Sequence, residues 1–208
     1  MSHALPAPPL LFITDRLSTT GDLVHIAGQV FHAGCRWLMV REKDLDTAAL
    51  GALAGELVSL ARPFDACVVV NGNIEAALSA GAAGVHLQSP GDIAVARETL
   101  GDEALIGVSC HSPAELQEAM AAGADYATYS PVFLTASKPG YGPAHGLDGL
   151  AAVCEATPIP VVALAGISED NSADCLRAGA AGVAVMGGIM RSDDPADVVR
   201  GILHAIGG

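Results

Sequence analysis

Two hydrophobic rhythms alternate along the chain. Short runs rich in Val, Ile and Leu recur eight times. They predict strands at Leu10–Asp15, Trp37–Glu42, Ala66–Asn71, Gly84–Gln88, Leu105–Cys110, Tyr126–Val132, Pro160–Gly166 and Gly182–Met186. Between them, apolar residues spaced three and four apart predict helices, as over Asp46–Ala61, Ser112–Ala122 and Glu169–Ala178. Strands that alternate with helices of this length imply βαβ units and a parallel sheet. A count of eight favours closure, so the predicted fold is α/β, a TIM (β/α)8 barrel, with residues 1–208 as a single domain.

A short repeat supports that count. Ala33-Gly34-Cys35, Ala80-Gly81-Ala82, Ala122-Gly123-Ala124 and Ala178-Gly179-Ala180 each close a predicted helix just before an even-numbered strand. Glycine is common there because it takes the left-handed conformation without a Cβ clash. An open doubly wound sheet is the competing architecture. It would want a glycine-rich turn after the first strand, and Thr14-Asp15-Arg16-Leu17-Ser18 is not one.

Composition narrows the picture. Apolar residues make up 51% of the chain but aromatic ones only 4%, so the core must be built from Ala, Val, Leu and Ile. That suits a parallel sheet covered by helices. A net charge of −13 argues against nucleic acid as a partner. Any site where the ten basic residues converge would stand out. Cys35, Cys67, Cys110, Cys154 and Cys175 are widely spaced and form no CxxC. They read as reduced thiols of a cytoplasmic protein, with neither a disulfide framework nor a zinc site. Met1–Pro9 lacks the pattern of a signal peptide, and the Ala/Gly-rich stretches are broken too often to span a bilayer, so no membrane partner is expected. The oligomeric state is open, a homodimer included.

In a barrel of this kind the active site lies on the loops that follow the strands. Polar residues collect there: Arg41 and Lys43 after strand 2, Asn71 after strand 3, Ser109 and His111 after strand 5. The loop Thr135-Ala136-Ser137-Lys138 follows strand 6, and strands 7 and 8 run into Gly166 and Met186-Gly187-Gly188. Glycine-rich turns after strands 7 and 8 suit phosphate, whose oxygens then meet bare backbone amides. Thr135, Ser137 and Lys138 could add hydroxyls and a charge; alternatively the glycines only make tight turns. Arg41 and Lys43 share one face and could capture a carboxylate or second phosphate, or form a rim salt bridge with Glu42 or Asp44. His111 could exchange protons near neutral pH, or with Ser112 simply start the next helix. His86, inside a strand, reads as a hydrogen-bonded core residue, Cys110 as a small buried hydrophobe and His145 as a surface residue. The glycines and prolines of loop 133–146 allow closure as a lid without requiring it.

Taken in order, several motifs resemble a known family over essentially the whole chain. They are Phe12-Ile13-Thr14-Asp15-Arg16, Val40-Arg41-Glu42-Lys43, Val70-Asn71, Gly84-Val85-His86-Leu87, Ile106-Gly107-Val108-Ser109, Ala124-Asp125-Tyr126, the run Pro131 to Lys138, and Ala165-Gly166-Ile167. This is similar to the thiamine phosphate synthase/TenI superfamily. The resemblance implies one of two activities. The synthase joins a pyrimidine-methyl diphosphate to a thiazole phosphate and releases pyrophosphate with Mg²⁺. The TenI-type tautomerase aromatises a carboxythiazole phosphate by a proton shift, without metal. Either would place the thiazole-phosphate pocket on Thr135, Ser137, Lys138, Gly166, Met186 and Gly187.

The chain also departs from the synthase pattern. A Gln that usually precedes the Arg-Glu-Lys motif is Met39, the Asp of an Asn-Asp pair is Gly72, and a Gly-Gln-Glu-Asp run is replaced by Gln88-Ser89-Pro90-Gly91, with Asp92 one residue late. Mg²⁺ on a diphosphate usually takes one or two protein carboxylates. These losses, with Val185-Met186-Gly187-Gly188-Ile189, point to the TenI branch, and hence to an isomerase with no cofactor and no metal ligands. Pro131 stands where that branch has a proton-shuttling His, so His111, or the substrate's own carboxylate, would move the proton. The leading expectation is a tautomerase with His111 and Lys138 as catalytic groups and a thiazole phosphate as small-molecule partner. The alternatives are a Mg²⁺-dependent synthase, a transferase, and a non-catalytic thiazole-phosphate-binding paralogue.

Overall fold

The computed structural model describes residues 4–135 and 143–207. Eight parallel strands close into a barrel in sequence order, with β1 paired to both β2 and β8. They are β1 (Leu10–Ile13), β2 (Trp37–Val40), β3 (Cys67–Asn71), β4 (Gly84–Leu87), β5 (Leu105–Cys110), β6 (Tyr126–Tyr129), β7 (Val161–Leu164) and β8 (Gly182–Val185). The helices outside are α1 (Leu23–His32), α2 (Thr47–Ala61), α3 (Ile74–Ala80), α4 (Ile93–Leu100), α5 (Pro113–Ala122), α6 (Gly146–Ala156), α7 (Glu169–Arg177), a four-residue α8 (Gly187–Met190) and α9 (Pro195–Gly207). This is the TIM-barrel architecture expected from the alternating pattern.

All four repeat glycines have the left-handed backbone that the repeat implies, with φ of 110° at Gly34, 62° at Gly81, 88° at Gly123 and 99° at Gly179. Helix starts follow local chemistry as well. The side chains of Asp22, Asp46, Asn73 and Ser112 each accept a first-turn amide, capping α1, α2, α3 and α5.

Several strands end earlier than their hydrophobic runs. Thr14-Asp15, Arg41-Glu42, Ser130 to Val132, Ala165-Gly166 and Met186 lie beyond the ladder. At β7 the cause is local: Ala165 and Gly166 both have positive φ, 82° and 67°, which ends extended pairing. The residues past the ladder are those that surround the barrel mouth.

Side-chain alternation divides the core in two. One set, including Leu10, Phe12, Leu38, Val40, Val70 and Val85, packs against the helices. The other, including Leu11, Ile13, Trp37, Met39, Val69 and Tyr126, fills the barrel interior. Continuing the inward alternation from Met39, Val69 and Ala184 leads to Arg41, Asn71 and Met186, so filled core gives way to a polar mouth along the same strand faces. Cys35, Cys110 and Cys175 are buried, and burial pushes their thiols up to about 11, 12 and 11. Cys110 is thus the inert small hydrophobe expected. Among the described residues, no helix is long and apolar enough to cross a membrane.

Candidate active site

A cavity of about 510 Å³ opens at the C-terminal ends of the strands. It brings together Arg41, Lys43, Asn71, Ser109, His111 and Thr135 with Gly166, Met186 and Gly187. Ser137 and Lys138 lie outside the described residues, as does most of the loop considered as a lid. The candidates come from six different strand ends, so only the closed barrel makes them neighbours.

The β2 end is held by a lock between two strand ends. Thr14 Oγ1 donates to Glu42 Oε1 at 2.6 Å and accepts the Arg41 amide at 2.9 Å. The Arg16 amide donates to both Glu42 oxygens, at 3.2 and 3.1 Å. Desolvation raises the Glu42 pKa, and the Thr14 and Arg16 hydrogen bonds partly oppose that rise. Arg16 also pairs with Asp44. Glu42 thus turns back toward the end of β1, and alternation places Arg41 and Lys43 along the cavity. The Arg41 guanidinium reaches Met186 Sδ at 3.9 Å, so the β2 and β8 ends touch across the end of β1.

The opposite wall is made of backbone. The amides of Val132 and Phe133 donate to Leu164 and Ala165 carbonyls at 3.0 and 3.1 Å, laying the loop after β6 on the turn after β7. A Cβ at Gly166 would come 2.6 Å from Phe133 Cβ and 2.7 Å from the Leu134 carbonyl. Glycine is therefore required there by packing and by φ alike, while its backbone still lines the cavity. At β8, Gly187 begins α8, whose first amides have no partner within the helix.

Arg191 also lines this cavity, and the sequence reading missed it. Its guanidinium lies where a Gly187 side chain would be: a Cβ there would stand 2.6 Å from Arg191 Cζ. Glycine after strand 8 was a visible signal, but read as backbone access for an anion rather than as space for a cation. Arg41, Lys43 and Arg191 thus converge in an acidic chain.

His111 Nδ1 donates to the Ser130 carbonyl at 2.9 Å, so in the neutral ring Nε2 carries the lone pair. Ser112 meanwhile caps α5, as the helix-start reading of this segment expects. His86 is buried in the interior, with ring nitrogens 3.1 Å from Tyr126 Oη and 3.0 Å from Ser109 Oγ. Burial pushes its pKa down to about 3, so the ring is neutral, as a hydrogen-bonded core histidine should be. His145 is half-buried rather than a plain surface residue. Its ring stacks on Tyr129 with centroids 4.5 Å apart, a tertiary contact invisible in a Gly/Pro-rich stretch.

The donor set does not fit a two-carboxylate magnesium grip. Among the described residues lining the cavity Asp15 is the single carboxylate, and Asp92 is exposed outside it. Among the described residues no cluster of three or more His, Cys, Asp or Glu could hold a metal.

Comparison with known proteins identifies the family. The family model described as thiamine monophosphate synthase, TMP-TENI, matches residues 10–189. The chain is 44% identical over 196 residues to a putative thiamine-phosphate synthase of Geobacter sulfurreducens, covering 93% of this chain and 92% of the relative. It is 38% identical to the thiamine-phosphate synthase of Chloroflexus aurantiacus, covering 80% and 77%. A solved thiamine phosphate pyrophosphorylase from Pyrococcus furiosus superposes with a TM-score of 0.85 at 31% identity, covering 96% and 95%. The expected TenI-like tautomerase, an isomerase, is overturned by these relatives, which are named for synthase activity, a transferase reaction. The reason is physical. Met39, Gly72 and the missing acids after β4 report on how a metal is gripped, not on which bond is made, and both branches share the phosphate pocket. By family model and by relatives spanning nearly its whole length, this chain belongs to the thiamine monophosphate synthase (TMP-TENI) family.

Proposed function

We propose that this barrel is a transferase that couples a pyrimidine-methyl diphosphate to a thiazole phosphate, with loss of pyrophosphate. The observation that carries the proposal is one cavity with two anion-seeking walls, Arg41 and Lys43 at the β2 end and Gly166, Gly187 and Arg191 at the β7–β8 end. A reaction that joins two phosphorylated molecules needs such a pair of walls, and the family relationship supports the assignment.

In this reading, Arg41, Lys43 and Asn71 hold the diphosphate. Gly166, Met186 and Gly187 hold the thiazole phosphate with Thr135, Ser137, Lys138 and Arg191. The C–O bond to the diphosphate breaks and its electron pair leaves with pyrophosphate. The lone pair of the thiazole nitrogen forms the new C–N bond to the methylene carbon. Cations facing the leaving group stabilise the charge that builds up there, and holding both reactants in one cavity removes much of the entropic barrier. This bond exchange needs no proton removed from carbon, so the role of proton carrier assigned to His111 falls with the tautomerase. His111 instead offers a hydrogen-bonding ring at the β5 rim. The partners are accordingly two small phosphorylated molecules.

The test is turnover of the purified protein with both precursors and Mg²⁺. The expected result is pyrophosphate and coupled product in equal amounts, with none when either precursor is omitted. Pyrophosphate without coupled product, or no reaction, would contradict the proposal.

A further inference from the structure

At the cavity floor lies a polar chain that the proposed reaction does not yet use. His86 on β4 is buried between Tyr126 and Thr128 of β6 and Ser109 of β5. Its Nδ1 is 3.1 Å from Tyr126 Oη, and its Nε2 is 3.0 Å from Ser109 Oγ and 3.4 Å from Thr128 Oγ1. The intervening residue is Gly107. A Cβ there would come 2.6 Å from His86 Nδ1 and would also strike the Tyr126 ring. Only glycine at that position lets the histidine and tyrosine meet.

The direction of the protons follows from elementary accounting. Tyr126 is fully buried, and among the described residues its hydroxyl bonds to His86 Nδ1. Burial raises its pKa well above the usual phenol range, so it keeps its proton. A buried O–H left without an acceptor is costly, so the phenol donates and Nδ1 accepts. A neutral imidazole that accepts at Nδ1 carries its proton on Nε2. That proton goes to Ser109 Oγ, with Thr128 Oγ1 as the longer second acceptor. Ser109 Oγ therefore accepts from below, and its own hydrogen is directed elsewhere. Ser109, Thr128 and the almost wholly buried His86 all line the cavity.

We propose that His86 is a positioning residue: held as the Nε2–H tautomer by Tyr126, it sets Ser109 to donate a hydrogen bond into the cavity, toward an acceptor atom of the diphosphate substrate. The choice of substrate rests on the coupling reaction proposed above; the tautomer does not. Ser109 lies at the end of β5, between the β4 and β6 ends; on the β4 side Gln88 lines the cavity and its side-chain amide reaches Asn71 Oδ1 at the β3 end, at 3.5 Å. The Gln88–Asn71 contact joins this side of Ser109 to the residue assigned above to the diphosphate, which is why that substrate is chosen as the acceptor.

The test reads the tautomer first, in the full chain labelled with ¹⁵N-histidine and without substrate. Long-range proton–nitrogen correlation is expected to show His86 with a bare Nδ1 and a protonated Nε2. Tyr126→Phe removes one oxygen and is expected to abolish that preference, with near-ultraviolet dichroism keeping its native form. In turnover, Tyr126→Phe and Ser109→Ala are each expected to lower kcat/KM for the diphosphate substrate about fivefold, the scale of one neutral hydrogen bond. The KM for thiazole phosphate should not move. Because both variants break the same chain, the double variant should lose no more than either alone. An Nδ1–H tautomer in the native protein, or losses that multiply in the double variant, would overturn the proposal. Should the coupling reaction itself fail, the tautomer measurement still decides the positioning claim.

Discussion

At Gly187 the chain carries no side chain, and the Arg191 guanidinium takes that space beside the cavity. The consequence is a positive charge at a turn whose amides already favour an anion. Replacing Arg191 by Gln keeps a polar side chain of similar reach but removes the charge. A charge-assisted hydrogen bond contributes roughly 1.5–3 kcal/mol, so affinity for thiazole phosphate should fall at least about tenfold. Arg191→Lys, a point charge without the planar fork, should fall in between. Titration calorimetry with thiazole phosphate checks this, and unchanged affinity in Arg191→Gln would remove Arg191 from the site. The residue itself shows how far sequence reasoning reaches. Arg41 and Lys43 stand next to a strand end, where alternation gives their direction. Arg191 reaches the cavity only because a four-residue helix folds it back over its own first glycine. No periodicity announces that.

At the scale of elements, three neighbouring strands are tied by one histidine. His86 bonds from β4 to Ser109 on β5 and to Tyr126 on β6, and it does so in the neutral form. Its pKa is lowered from 6.5 to about 3 by burial, so the folded state refuses a proton that the unfolded chain accepts. The stability this group contributes is fully present above about pH 6.5 and is lost as the pH falls toward about 3. In that window the loss approaches about 1.4 kcal/mol per pH unit from this group alone. Urea unfolding measured from pH 7 to pH 4 should show this slope, and His86→Gln should flatten it while lowering stability at pH 7. An equal slope in the variant would place the acid sensitivity elsewhere.

The strands themselves were legible because their hydrophobic runs are short and regular, and the four glycine repeats fixed their phase. Their ends were less so. The runs at Thr14-Asp15 and Ala165-Gly166 continue past the ladder: the Thr14 amide still donates to Met39 while its side chain ties to Glu42, and at Ala165-Gly166 left-handed backbone stops pairing. His145 was misplaced for a similar reason: its contact with Tyr129 is made by the fold rather than by its neighbours in sequence.

For the whole molecule, charge and topology act together. A chain of net charge −13 repels phosphorylated molecules everywhere except where its cations meet, and closing the barrel gathers Arg41, Lys43 and Arg191 at one mouth. The family and the barrel were readable from ordered motifs. The branch was not, because substituted metal-grip residues say little about which bond the enzyme forms. The central claim is that the two walls of this cavity hold two different phosphorylated substrates at once. A crystal structure of the protein with thiazole phosphate and a non-reacting pyrimidine-methyl diphosphate analogue tests it most directly. The account predicts the single phosphate at Gly166, Gly187 and Arg191, and the diphosphate at Arg41, Lys43 and Asn71. Both ligands competing for one wall, or either bound outside the cavity, would contradict it.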